Sequence, residues 1–297
     1  MDEPRADRPV ELSPGLVRLV APNPSPMTYW GTNTYLLGTR SVAVIDPGPD
    51  DPAHMAAILG VLDGRPVSHI LVTHAHGDHS ALAPRLAART GAPMLAWGRA
   101  TDGRSPAMQA LAGTGALGGG EGLDRGFVPD RTVADGEGVS GDGWDLRVLH
   151  TPGHLGSHIC LLYRDAAFTG DHVMGWASTL ISPPDGDLTD FMASCERLLA
   201  TGARRYLPGH GPAIDDGPAR TRWLMDHRRM REAEILAVLA TGPATAATLA
   251  ARLYVDTPPA LLPAAARNVL AHLVDLMRKS TVRPDGPAAP DTAWRLT

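Results

Sequence analysis

Runs of strand-like apolar alternation interleave with helical runs up to about residue 217, and beyond Pro218 the pattern becomes helical. Strands are expected near residues 15–20, at 33–38 and at 41–46. Asp46-Pro47-Gly48 breaks the third, because proline cannot extend a ladder and glycine permits a sharp turn. Residues 51–62 read as a helix with Pro52 near its start and Ala56, Leu59 and Leu62 on one face. A buried strand over 69–73, a helix from Ser80 and a short strand over 92–97 follow. Residues 144–150, 158–163, 166–169 and 205–207 read as further strands. A helix over 189–201 turns Phe191, Cys195, Leu198 and Leu199 inward. Strands alternating with helices argue for an α/β sandwich. Residues 1–26 are proline-rich and read as an irregular arm. Residues 101–126 lack periodicity and contain Gly118-Gly119-Gly120, which suits either a lid over a substrate or a surface insertion.

After Ile214-Asp-Asp-Gly-Pro218 the character changes. Helices are expected over 219–240, 244–253 and 263–279, the last with Val269, His272, Leu273 and Leu276 on one stripe. Residues 281–283 and 293–296 flank a Pro/Gly-rich turn and read as a small hairpin. Three helices and a hairpin match a winged-helix module, which can bind DNA, bind RNA or merely pack. The expected division is a catalytic domain over 1–217 and a winged-helix-like domain over 218–297.

Composition adds a setting. With 43% hydrophobic and 20% charged residues in 297, the chain is ordinary for a soluble globular protein. No apolar segment approaches membrane-spanning length, and residues 1–10 lack the apolar core of a secretory signal. Cys160 and Cys195 stand alone and suggest neither a zinc spacing nor a disulfide framework, so a reducing cytoplasm is the expected location and no membrane partner is expected. The net charge of -5 is unevenly spread: residues 1–217 carry 16 basic and 25 acidic side chains, residues 218–297 carry 11 and 7. Neither part is basic enough to announce nucleic-acid binding. Self-association through the helical tail, giving a homodimer, is the other contact left open.

The candidate chemistry gathers at the turns that end the strands. His74, His76, Asp78 and His79 lie within six residues, between the strand over 69–73 and the following helix. Neutral imidazole and carboxylate suit zinc and similar divalent ions. His154, Asp171 and His210 recur downstream in Thr151-Pro-Gly-His, Gly170-Asp-His and Pro208-Gly-His-Gly, each on a glycine turn after an apolar strand. Five histidines and two carboxylates suffice for two metals with open positions, since a carboxylate can bridge. Asp46 ends an apolar strand and either orients a ligand histidine or caps its turn. His158 is a candidate for a similar supporting role. His172 follows Asp171 and points into or away from the site. The remaining histidines suit surface or core. Trp176 suits a pocket wall or the core.

His-x-His-x-Asp-His followed by Thr-Pro-Gly-His, Gly-Asp-His and Pro-Gly-His-Gly resembles the metallo-β-lactamase fold superfamily over roughly residues 15–215. The resemblance implies an αββα sandwich with two zinc ions at one edge, iron or manganese being the alternatives. It implies that His74, His76 and His154 hold one ion, Asp78, His79 and His210 the other, and that Asp171 bridges. In the tail, His227-Arg-Arg-Met-Arg-Glu, the Thr257-Pro-Pro segment and Asn268, Leu270, His272 and Leu273 are similar to the β-lactamase-like protein 2 subfamily, which implies single-stranded RNA as a substrate. Glyoxalase II thioesterases share the seven ligands but not this tail. Water shared by two dications loses a proton near neutral pH, its pKa falling from 15.7 toward about 7. The resulting hydroxide attacks a carbonyl or phosphorus, with Asp78 orienting it. A small ester, thioester or lactone is the first expected substrate and single-stranded RNA the second. A winged-helix nucleic-acid binder with an inactive hydrolase domain is the third reading, weakened because all seven ligand residues are present.

Overall fold

The computed structural model describes residues 8–297, so the first seven residues of the proline-rich arm lie outside the described residues. Strands β1 (Val10–Ser13), β2 (Leu16–Val20), β3 (Asn33–Leu37), β4 (Val42–Ile45), β5 (Val67–Leu71), β6 (Met94–Ala96) and β7 (Arg131–Thr132) form one sheet in chain order. The first four are antiparallel and the rest join in parallel. Parallel neighbours need crossovers. These are supplied by α1 (Pro52–Leu62), by α2 (Gly77–Ser80) with α3 (Ala83–Thr90), and by α4 (Pro106–Gly113). Strands β8 (Gly138–Gly141), β9 (Trp144–His150), β10 (Ile159–Tyr163), β11 (Ala166–Gly170) and β12 (Arg205–Pro208) make a second sheet in the order β12-β11-β10-β9-β8. Helix α5 (Leu188–Ala200) carries the chain between its parallel pair, β11 and β12.

Two-residue alternation builds the layers. Tyr35, Leu37, Ala43 and Ile45 face Leu146, Val148, Leu161 and Phe168 in the core between the sheets. Their neighbours Leu36, Val42, Val44 and Ile70 turn outward against Ile58, Leu62 and Leu86 of α1 and α3. On the other side Leu149, Cys160 and Tyr206 pack against Leu198 of α5. The result is the mixed α/β sandwich of the metallo-β-lactamase type, two sheets with helices outside.

The departures from expectation are local. In α1 the buried stripe is His54, Ile58 and Leu62; Ala56 is exposed and Leu59 half-buried. His54 is tolerated inside because its Nε2 lies 2.8 Å from Thr34 Oγ1, and Asp51 caps the helix. Strand β5 ends at Leu71, earlier than expected, so residues 72–76 leave the sheet and form the turn. Short edge strands β1, β7 and β8 carry too few apolar residues to announce themselves.

The C-terminal region contains α6 (Gly217–Leu239), α7 (Ala246–Leu253), α8 (Leu262–Arg278) and a hairpin of β13 (Val282–Pro284) with β14 (Trp294–Leu296), completing a winged-helix domain. Its core joins Ile235, Leu249, Val269, Leu273 and Trp294 to Met108 and Leu117. Segment 101–126 is therefore anchored against this domain through Met108 of α4 and Leu117, rather than standing free of it. One stretch, Pro259–Arg278, is long and apolar enough to cross a membrane, contrary to the expectation that none would be. Over half of it is buried inside the fold, as residues 268–276 of α8 are.

Candidate metal centre

The turns after β5, β9, β11 and β12 open on one edge of the sandwich and bring all seven candidate residues together. His74 Nε2 and His154 Nε2 each lie 3.0 Å from His76 Nδ1, and 3.9 and 3.8 Å respectively from Asp171 Oδ2. Beside them, His210 Nε2 lies 3.2 Å from Asp78 Oδ2 and 3.3 Å from His79 Nε2, and His79 Nε2 lies 3.6 Å from Asp78 Oδ2. Asp171 reaches both groups: Oδ1 is 3.5 Å from His79 Nε2 and Oδ2 is 3.4 Å from His210 Nε2. With metal–nitrogen bonds near 2.1 Å, the donors of a tetrahedral zinc site stand about 3.4 Å apart. The spacings in both groups scatter about that edge length. The donors therefore fit divalent cations, as two clusters of metal-ligating side chains, His74, His76, His154 and Asp171 in one and Asp78, His79 and His210 in the other.

Hydrogen bonds on the far side of the rings fix which nitrogen faces inward. His74 Nδ1 lies 3.0 Å from Thr73 Oγ1, His154 Nδ1 2.6 Å from Leu180 O, and His210 Nδ1 3.2 Å from Gly31 O. Each Nδ1–H is thereby engaged, and Nε2 is the ring nitrogen aimed at the cluster. Three ring nitrogens converging at 3.0 Å cannot all be satisfied by one another, and Asp171 Oδ1 is buried without a hydrogen bond. A cation resolves both conflicts.

Asp46, left undecided between orienting and capping, is the hub beneath the centre. Its Oδ1 accepts from Thr73 N at 2.7 Å, and its Oδ2 from Thr73 Oγ1 at 2.8 Å and His79 Nδ1 at 3.0 Å. Its backbone is left-handed at φ 48°, a conformation Asp tolerates better than bulkier residues. His158 also supports the site: its Nδ1 meets Thr151 Oγ1, and its Nε2 accepts from the Asp171 backbone N–H at 3.2 Å. His172 turns away and packs against Phe191. Thr32 Oγ1 donates to Asp78 Oδ2, and Asn33 Nδ2 donates to Pro208 O and Gly211 O, pinning the loop that carries His210. Gly209 is required here: a Cβ would stand 2.5 Å from Asp171 Oδ1 and 2.6 Å from His79 Cε1.

The two clusters differ electrostatically. Burial, reinforced by His154, lowers His76 to about 3, and burial likewise holds His74 and His154 below their ordinary value. Burial acts downward on His210 too, but Asp171 and Asp78 outweigh it and raise the ring to about 9. Asp78, Asp171 and Asp46 likewise carry His79 well above its ordinary value, against the downward pull of burial. Metal-free, one group is neutral imidazole and the other a set of imidazolium–carboxylate pairs.

The centre opens into a cavity of about 480 Å³. Met27, Met174, Trp176 and Leu180 line it from the catalytic part, Glu121 and Gly122 from the anchored insertion, and Tyr254, Leu261, Ala265 and Asn268 from the C-terminal domain. Trp176 is thus a wall residue. Among the described residues no lysine or arginine lines the cavity. The reading from sequence missed Thr32, Thr73 and Asn33 in their supporting roles. A threonine or asparagine far from the motif in the chain gives no local signal of what it touches.

Residues 27–210 match the metallo-beta-lactamase superfamily model and residues 245–294 the beta-lactamase associated winged helix domain. The chain is 32% identical over 286 residues to a beta-lactamase-like protein 2 homolog of Caenorhabditis elegans, covering 92% of this chain and 88% of that one. A metallo-beta-lactamase family protein of Thermus thermophilus is similar in structure, with 28% identity, a TM-score of 0.77, and coverage of 97% of this chain and 100% of that one. A second solved structure, TTHA1623 in a di-iron-bound form, is 28% identical with a TM-score of 0.50, over 67% of this chain and 96% of that one. Sandwich, edge cluster and helical tail thus agree with one assignment: the chain belongs to the metallo-beta-lactamase superfamily, whose members are generally hydrolases, and carries the associated winged-helix domain.

Proposed function

We propose that the protein hydrolyses a small ester, thioester or lactone with two bound divalent cations. His74, His76 and His154 would hold one cation and Asp78, His79 and His210 the other, with Asp171 able to serve either. Zinc fits the nitrogen-rich donors best. Iron is the alternative, supported by the di-iron-bound form of a similar structure. Bound there, the cations supply Lewis acidity, polarising an acyl oxygen and lowering the pKa of water. The protein's own groups do the rest. Asp78, half-buried at the cavity floor, accepts a hydrogen bond from Thr32 and is placed to orient a water molecule. The apolar wall of Met27, Met174, Leu180 and Leu261 receives the acyl chain and excludes bulk water.

One observation carries this reading: seven donors converge, five of them line a cavity that is otherwise largely apolar, and among the described residues no lysine or arginine lines it. Strand-tracking RNA sites combine cationic grooves with stacking aromatics. The resemblance of the tail to the β-lactamase-like protein 2 subfamily is what supports the RNA reading, and the wall chemistry favours the acyl one. The test is metal analysis with a side-by-side assay of a thioester, ester and lactone panel against labelled single-stranded RNA. About two ions per chain and acyl turnover that vanishes in Asp171→Asn are expected. RNA cleavage lost in that variant, with no acyl turnover in the wild type, would overturn the substrate assignment.

A further inference from the structure

Asn268, on α8, presents a second kind of chemistry to the same cavity. It is buried, and its Oδ1 accepts two hydrogen bonds, from Ile181 N at 2.9 Å and from Arg228 Nη1 at 3.2 Å. Those two donors fix the amide orientation. Reversed, the NH₂ group would confront a backbone N–H and a guanidinium, two donor–donor clashes. The side chain lines the cavity, so its Nδ2 hydrogens serve that space, beside Leu180, Leu261, Ala264 and Ala265. Among the described residues no hydrogen bond joins Asn268 to the seven donor side chains.

Arg228 behind it is unusual. It is 3% exposed, donates to Asn268 Oδ1 and Thr179 O, and lies 5.6 Å from the centre of the Phe191 ring. Among the described residues no carboxylate stands within ion-pair distance of it. An unneutralised buried cation is costly to keep. Here its field polarises the Asn268 amide and strengthens the Nδ2–H donors on the far side. The acceptor they suit is a neutral oxygen, because among the described residues Glu121 lines the same cavity and no lysine or arginine does.

We propose that Asn268 is a specificity-determining residue of this pocket. Its Nδ2 donates to a neutral oxygen, a keto, hydroxyl or ether group, that the acyl substrate carries away from the scissile bond. Arg228 is the positioning residue that holds the amide in that orientation. The inference rests on the acyl-hydrolase reading and narrows its substrate class from plain acyl chains to oxygen-bearing ones.

The test is a series of thioesters of one chain length, unsubstituted or bearing a single keto oxygen at successive carbons. The wild type should favour one keto position over the unsubstituted chain by on the order of tenfold or more in kcat/KM. Asn268→Asp keeps an acceptor for Ile181 N and Arg228 but replaces the donor with a carboxylate oxygen. Its keto preference should collapse toward unity, chiefly through KM, with metal content and Tm as checks on folding. Arg228→Lys should lower the preference partially, because one restraint on the amide is loosened. A wild type indifferent to every keto position would overturn the proposal, and so would an Asn268→Asp variant that kept the wild-type ratio. Absence of any acyl turnover by the wild type would instead remove the hydrolase reading on which the proposal stands.

Discussion

Replacing Asp46 by asparagine should separate the two metal positions. The substitution conserves volume, and one amide oxygen can still accept from Thr73 N at 2.7 Å. The other end becomes an NH₂ group facing Thr73 Oγ1 at 2.8 Å and His79 Nδ1 at 3.0 Å. The threonine hydroxyl can rotate and accept. His79 cannot keep a proton on Nδ1 against another donor, so its proton moves to Nε2, the nitrogen facing Asp78 and His210. The second position then loses a lone pair. A hydrogen bond to a charged group is worth about 1.5–3 kcal/mol, and loss of such an outer partner weakens metal binding about 10–100-fold. These agree, since 10–100-fold corresponds to about 1.4–2.8 kcal/mol. The position formed by His74, His76 and His154 keeps its hydrogen-bonded tautomers and should bind as before. Titration of the metal-free protein with zinc against a chromophoric chelator resolves the two affinities, and far-UV circular dichroism confirms the fold. Two ions bound with wild-type affinities would refute the role given to Asp46. Equal weakening of both would place its effect in the Thr73 turn instead.

Metal loading at pH 7.5 should release protons from His210, raised to about 9, and from His79, also raised, but none from His76 at about 3; calorimetry in buffers of different ionisation enthalpy measures the number. Gly209→Ala should abolish metal binding and turnover while preserving the far-UV spectrum, because the new Cβ lands on Asp171 and His79. Leu273→Ala, in the fully buried core of the C-terminal domain, should cost about 2–5 kcal/mol in urea unfolding and raise KM, because that domain forms one wall of the cavity. Burial and Asp187 raise the Asp190 carboxyl to about 6, so the native state holds that proton more tightly than the unfolded chain. Its stabilisation is full below about pH 4 and lost as pH rises through about 6. Asp190→Asn should therefore add on the order of 1 kcal/mol at about pH 8, after screening of this half-exposed group, and progressively less toward about pH 4.

The core of the fold was legible because its central strands are short apolar runs, buried on both faces. Leu36 and Val44 go one way, Tyr35 and Ile45 the other, and each run ends at Gly, Pro or Asp. The seven donors were legible for a related reason: four crowd the turn after β5, and His154, Asp171 and His210 each follow a glycine where a strand has stopped. Burial faces of helices were harder. In α1 the polar His54 occupies the buried stripe because Thr34 receives it, and hydrophobicity alone assigned Ala56 instead. Segment 101–126 read as structureless because α4 is short and its glycines dominate. Its fixing points, Met108 and Leu117, pack against residues more than a hundred positions away. Asn268 was visible only as part of a family likeness. Its orientation depends on Arg228, 40 positions earlier, and on Ile181, 87 positions earlier.

The basic excess of residues 218–297 acquires a meaning from the contacts it makes. Arg220 donates to Met174 O and Ala177 O, Arg228 to Thr179 O, Arg267 to Ser182 Oγ and Pro183 O, and Arg278 to Asp187 and Thr189. Four arginines of the C-terminal region thus clasp one loop, residues 174–189, between β11 and α5. That loop supplies Met174, Trp176 and Leu180 to the cavity wall, and the Leu180 carbonyl fixes the His154 ring. Positive charge turned inward in this way is not available to a phosphate backbone. It holds in place a loop whose backbone carbonyls would otherwise lack these partners. The winged-helix domain therefore acts on the candidate site structurally: it lines the cavity, holds the loop whose Leu180 carbonyl meets the His154 ring, and fixes the Asn268 amide at the cavity wall.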